Sequence, residues 1–166
     1  SGPTNLKPNK DINFIEVETA DQMFKATQNS LPADVAVFSA AVSDFKIKEQ
    51  SKQKIKKENF TSLNLEKNID ILNYVSNHNS FRPKLVIGFA AETNDVISNA
   101  KKKLMEKNCD WIIANDVSKK SIGFDSNFNE VMIFYKNNKI NDEKLAMKKK
   151  SEISDEIVDR IISQLN

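Results

Sequence analysis

The sequence predicts an α/β fold with a mainly parallel sheet, closed by an antiparallel hairpin and a last amphipathic helix. Three observations predict it. Short apolar runs at 34–38, 84–90 and 110–114 have the length of strands buried on both faces. Segments with helical spacing lie between them, so strand and helix alternate. After residue 130 the pattern changes. An apolar run at 130–135 and a short one near Ile140 flank Lys136, Asn137, Asn138 and Lys139, which reads as a β-hairpin at the sheet edge.

Residues 12–17 are a short β-rich run. Thr19 is placed to cap a helix over 20–29, with Met23, Phe24 and Ala26 available for packing, and Pro32 closes that unit. The strand at 34–38 opens into Ser39, Ala40, Ala41, Val42, Ser43, Asp44 and Phe45. Residues 46–59 are polar, lysine-rich and aperiodic. They exceed the usual connection of ~4–6 residues and read as a mobile loop. Alternation at 61–65 predicts a strand. Asn68 or Asp70 starts a helix to about His78, with Ile69, Leu72, Tyr74 and Val75 as its apolar positions. The strand at 84–90 exits through Ala90, Ala91, Glu92 and Thr93. Thr93 or Asn94 then caps a helix over 95–107, with Val96, Ile97, Ala100 and Leu104 on one face. Lys103 and Lys107 are four apart and share a face of it. The strand at 110–114 exits at Asn115. A last helix starts at Ser151 or Ser154 and runs to Leu165, with Ile153, Ile157, Val158, Ile161 and Ile162 inward. With 166 residues the chain is long enough for one domain, a Rossmann-like three-layer sandwich.

Composition excludes several function classes. The formal net charge is only +2, so no global basic field calls for DNA or RNA. Lysines do cluster, at 46–57, 101–107 and 148–150, but such clusters are most often solvated faces. The aromatics fall mainly in strands and are not interleaved with lysines as base-stacking platforms, so an RNA-binding reading has little support. One Cys and one His cannot build a zinc site, and His78 reads as a helix-end surface residue. The single Cys109 excludes an internal disulfide and fits a reducing, cytoplasmic setting. No apolar run approaches the ~18 residues of a membrane span, and no signal-peptide pattern is present. Three glycines, at 2, 88 and 123, cannot make a glycine-rich phosphate loop.

Ligands of doubly wound sheets sit beyond the carboxyl ends of the strands. Small residues at these exits let a ligand approach the backbone. Asp44 is placed to accept hydrogen bonds from an exocyclic amine or ribose hydroxyls, to help hold Mg²⁺, or simply to cap a turn. Without a glycine-rich loop, a nucleoside triphosphate needs point charges around it. Lys54, Lys56 and Lys57 from the loop, with Lys103 and Lys107 from the helix face, are the candidates. On periodicity alone each of them is equally a solvated surface lysine.

Five blocks carry a resemblance: 40–45 (Ala-Ala-Val-Ser-Asp-Phe), 54–57 (Lys-Ile-Lys-Lys), 67–71 (Lys-Asn-Ile-Asp-Ile), 88–93 (Gly-Phe-Ala-Ala-Glu-Thr) and 114–117 (Ala-Asn-Asp-Val). In this order and spacing they resemble the phosphopantothenoylcysteine synthetase domain, which in bacteria is usually the C-terminal half of a bifunctional coenzyme A biosynthesis protein. The resemblance implies a ligase that uses CTP and Mg²⁺ to activate 4′-phosphopantothenate as an acyl-cytidylate, which the cysteine amine then attacks. It implies that Asp44, Phe89 and the backbone around Ser39 and Ala40 hold the nucleotide, joined by Asn68, Ile69, Asp70 and Ile71. Lys103 and Lys107 would hold phosphates or base-edge groups, and Lys54 would be the main catalytic cation. Ala41, Lys56, Lys57 and Asn115 would support the site, with metal ligands left open. Ser43 stands where alanine is common in the family, and Ile69 where proline is common. The family also carries a glycine-rich strand-turn-helix before the segment that 1–4 resembles. Residues 1–166 therefore read as one truncated synthetase domain, expected to lack full activity alone, with a sheet edge or apolar surface left exposed. A homodimer, with the hairpin at 130–140 as its interface, and a fused flavin-dependent decarboxylase domain are the implied protein partners. A non-catalytic nucleotide-binding module is the alternative reading.

Overall fold

Capping and strand chemistry sort the chain into eleven elements among the residues described by the structure, a computed structural model: 1–6, 8–49, 53, 62–118 and 126–166. In chain order they are α1 (Ala20–Asn29), β1 (Val35–Phe38), β2 (Phe45–Ile47), β3 (Leu65–Lys67), α2 (Ile71–Ser76), β4 (Leu85–Glu92), α3 (Val96–Lys107), β5 (Trp111–Asp116), β6 (Phe128–Tyr135), β7 (Glu143–Lys149) and α4 (Lys150–Leu165). Thr19 caps α1 as expected. Its hydroxyl accepts the Gln22 N–H at 3.2 Å while the Gln22 side chain accepts the Thr19 N–H at 3.0 Å, a capping box.

The main sheet runs β1-β4-β5-β6-β7. β1, β4 and β5 are parallel, and β6 and β7 turn back antiparallel, as the change of pattern after residue 130 predicts. Strand alternation sends side chains to two cores. Ile87, Trp111, Ile113, Ile133 and Tyr135 face α4, where Ile153 and Ile157 close the layer. Val86, Ile112, Ala114 and Phe134 face the other way, against Val75 of α2 and Ala100 and Leu104 of α3. Each fully buried Ile or Phe contributes about 1.5–3 kcal/mol relative to exposure. Asp110 ties the starts of β4 and β5 together. Its carboxylate accepts the Val86 N–H at 2.7 Å and pairs with the Arg82 guanidinium at 3.0 Å.

Several expectations are corrected. Residues 12–17 form no strand; their described backbone bonds are the Ile12 N–H on Asn9 O, the Ser1 nitrogen on Ile15 O and the Val17 N–H on Ser1 O, too little for a ladder. β1 is not buried on both faces, because it is an edge strand, and Val37 is 47% exposed. Of the loop expected at 46–59, Lys46 and Ile47 belong to β2, and residues 50–52 and 54–59 lie outside the described residues. The strand expected at 61–65 falls at 65–67, where it pairs with β2 in a separate two-stranded ribbon. Lys46 holds that ribbon on α1 through Asp21 at 2.9 Å, and this hydrogen bond raises the Lys46 pKa. The residue before α3 is Asp95, in left-handed backbone at φ 45°, not Thr93 or Asn94. α2 stops at Ser76 rather than at His78. The second hairpin strand lies at 143–149, beyond Ile140. Ile97, Val158 and Ile162 are exposed although their spacing suggested burial.

Candidate functional site

β4 outruns β1 at their carboxyl ends. Phe38, the last residue of β1, is in register with Gly88, so Phe89 to Glu92 project beyond it while the chain after β1 turns away through small residues. Gly88 sets the depth of what lies over this shelf. A Cβ there would meet Leu72 Cδ2 at 2.6 Å and Ile112 Cδ1 at 2.9 Å, so glycine lets α2 settle onto the sheet. The segment 68–71 is thereby brought opposite the exit of β1.

A cavity of about 450 Å³ lies between them. Ten of the residues expected at the site line it: Ser39, Ala40, Asp44, Asn68, Ile69, Asp70, Ile71, Phe89, Lys103 and Lys107. They come from four separate places in the chain. Of the other expected residues, Ala41 lines an adjoining cavity that shares Ser1, Met23, Ala40, Val42, Ser43 and Asn68 with the first. Asn115 lines neither cavity; it sits within β5, paired with Ala91 and Val131. Lys54, Lys56 and Lys57 lie outside the described residues.

Hydrogen bonds fix the walls. Asn68 clamps the exit of β1 twice, its N–H donating to Asp44 O at 2.8 Å and its Nδ2 to Ser43 O at 2.7 Å. Asp70 caps α2, accepting the Asn73 N–H on Oδ1 at 2.9 Å, while its second oxygen pairs with Lys107. Lys103 pairs with Glu92 at 3.4 Å. No side chain among the described residues is bonded to the Asp44 carboxylate, which leaves it for a ligand. The cavity therefore offers one uncommitted carboxylate and two held ammonium groups over an apolar floor of Val37, Phe38, Leu72 and Phe89.

Sequence reasoning missed two groups. Met23 and Thr27 of α1 line the cavity, with Val37, Phe38 and Leu72. An apolar residue under a ligand has the same pattern as one in a core, so no signal marked them. Glu92 was noted only as part of a strand exit, and nothing in its spacing marked it as the partner of Lys103. Among the described residues, no three His, Cys, Asp or Glu side chains group to hold a metal ion.

Residues 1–165 match the family described as the DNA/pantothenate metabolism flavoprotein C-terminal domain. The coenzyme A biosynthesis bifunctional protein CoaBC of Haemophilus influenzae is 38% identical over 166 residues, which cover 99% of this chain and 40% of that protein. This chain thus spans about two fifths of the length of that relative. A crystal structure of the C-terminal domain of a CoaBC superposes with a TM-score of 0.78 at 32% identity, covering 99% of this chain and 71% of the other. A Cab2 mutant in complex with phosphopantothenate-cysteine shares the fold, with a TM-score of 0.59 at 18% identity over 90% of this chain and 51% of that one.

Proposed function

Because the chain belongs to the DNA/pantothenate metabolism flavoprotein C-terminal domain family, we propose that it is the ligase part of a coenzyme A biosynthesis protein. The reaction is CTP-dependent activation of 4′-phosphopantothenate, followed by amide formation with cysteine. The observation that carries this reading is the meeting of Asp44, Lys103 and Lys107 in one cavity at the strand exits. The relatives named CoaBC supply the pathway. A Cab2 mutant, similar to this chain in fold, is in complex with phosphopantothenate-cysteine.

A carboxylate is a poor electrophile until one of its oxygens becomes part of a good leaving group. In the first step a substrate carboxylate oxygen attacks the α-phosphorus of CTP, and pyrophosphate departs with the electrons of the broken P–O bond. In the second, the cysteine nitrogen attacks the acyl carbon, CMP leaves, and the amine gives up a proton. The protein has to orient two anions and offset their charge. Asp44 accepts from ribose hydroxyls or the base amine, the alanine-lined exit admits the base, and Lys103 and Lys107 meet nucleotide acceptors. Lys54 supplies the cation at the reacting phosphate.

Mg²⁺ suits this donor set as an ion carried in by the nucleotide. It binds through one or two carboxylates together with substrate phosphates, and Asp44, the cavity carboxylate that no described side chain holds, would serve it as the alternative to the ribose or base contact. When bound it would neutralise phosphate charge.

The test is product formation by the intact polypeptide from 4′-phosphopantothenate, cysteine and either CTP or ATP. Turnover with CTP, abolished by Lys54→Gln and by Asp44→Ala, is the expected result. Equal turnover with ATP would remove the cytidine part of the reading. Full activity in both variants would remove the site.

A further inference from the structure

Building on the nucleotide reading, we propose that Glu92 is a positioning residue whose carboxylate fixes Lys103 as a cation facing the nucleotide. Glu92 does not line the cavity; Lys103 does. Glu92 is the last residue of β4, and its backbone is locked. It stands in register with Asp116, and its carbonyl accepts the Val117 N–H at 2.9 Å. Its side chain is only 17% exposed.

The two carboxylate oxygens divide their work. Oε1 faces the Lys103 ammonium at 3.4 Å, and Oε2 accepts from Asn99 Nδ2 at 3.3 Å. The same amide nitrogen donates to Asn94 O at 2.9 Å, which ties the carboxylate to the turn leading into α3. Asn99 and Lys103 are one helical turn apart, so both reach Glu92 from the same face.

A free lysine loses much rotamer freedom when a ligand immobilises it; one already held loses less. Lys107 is held differently, by Asp70, which is itself in the cavity wall and caps α2. Glu92 stands behind the wall. It can set the position of Lys103 without meeting the ligand's negative charge directly.

The test is a double-mutant cycle on binding of CTP and of cytidine by this chain, with Glu92→Gln, Lys103→Met and the double variant. Glu92→Gln should weaken CTP binding about fivefold in the wild-type background and less than about twofold once Lys103 is gone, the coupling expected of groups in contact. Glu92→Asp keeps the charge and should recover part of the loss. A loss confined to CTP places Lys103 on phosphate; a loss shared with cytidine places it on base or ribose. Both support the assignment. Additive losses, or tighter binding by Glu92→Gln, overturn it while leaving the nucleotide site intact. A wild-type chain that binds neither compound overturns the nucleotide reading itself, and this inference with it.

Discussion

Among single residues, the clearest electrostatic consequence lies away from the cavity, on the α4 side of the sheet. Glu143 accepts from Arg160 Nη2 at 2.7 Å and Nε at 2.9 Å, and from the Tyr135 hydroxyl at 2.6 Å. The guanidinium, then the phenol, hold the Glu143 carboxyl below its ordinary value, while burial and that same bond push the Tyr135 phenol up. A carboxylate with a lowered pKa binds fewer protons folded than unfolded. Its stabilisation is complete above the ordinary carboxylate pKa and is lost as pH falls through the folded value. Denaturant unfolding between about pH 3 and pH 7 should therefore show a shallower acid limb for Glu143→Gln than for wild type; parallel limbs would remove the cluster as the cause. Chemistry-bearing residues of this kind were also the legible part of the site. Asp44, Asp70, Lys103 and Lys107 are types that nucleotides need, at strand exits and one helix face, and the fold brings them to one cavity. Glu92 was not legible as a partner of Lys103, because its pairing depends on how far β4 runs past β1.

For elements, the informative misses come from neighbours rather than from periodicity. The run at 34–38 has the apolar density of a buried parallel strand, yet β1 is at an edge and Val37 faces out. Nothing local to the sequence says which strand is last. Likewise α4 presents Ile153 and Ile157 inward but leaves Val158 and Ile162 exposed, because its apolar stripe is wider than the face it lays on the sheet. β4, β5 and β6 were legible because they are apolar on both faces and buried on both faces. The contact of α2 with β4 is where a single atom decides. Gly88→Ala would drive a methyl group into Leu72 and Ile112. The nearer atoms are side-chain ends that can shift, so a loss of about 1–3 kcal/mol is expected rather than misfolding. The same shift lifts segment 68–71, so CTP affinity should fall as well. Unchanged denaturant midpoint and unchanged affinity would show that α2 does not set the depth of the cavity.

Across the whole molecule, stability should be unevenly spread, and the cavity lies where it changes. β4 and β5 sit between two apolar layers, with Val86, Ile87, Ile112 and Ile113 at 0% exposure. Among the described residues the β2–β3 ribbon adds no side chain to either core, and Phe45, Ile47 and Leu65 are all exposed. Its two strands hold each other through the Lys48 N–H on Asn64 O and the Asn68 clamp on Ser43 and Asp44, and what ties it to α1 is the exposed Lys46–Asp21 pair. Exposed pairs of this kind contribute on the order of 0–1 kcal/mol each, far less than burial holds β5. Amide hydrogen exchange should then separate two populations. Amides of β4, β5 and β6 should exchange only through global unfolding, whereas those of β2 and β3 open at lower cost. Because Asp44 and Asn68 belong to the ribbon's ends and to the cavity wall together, CTP should slow exchange at 43–47 and 65–70 as well as in β6, where binding to the folded state raises the cost of global unfolding. Slowing of β6 without slowing at 43–47 and 65–70 would mean that the ribbon opens with CTP still bound, and that it is not the part ordered around the nucleotide.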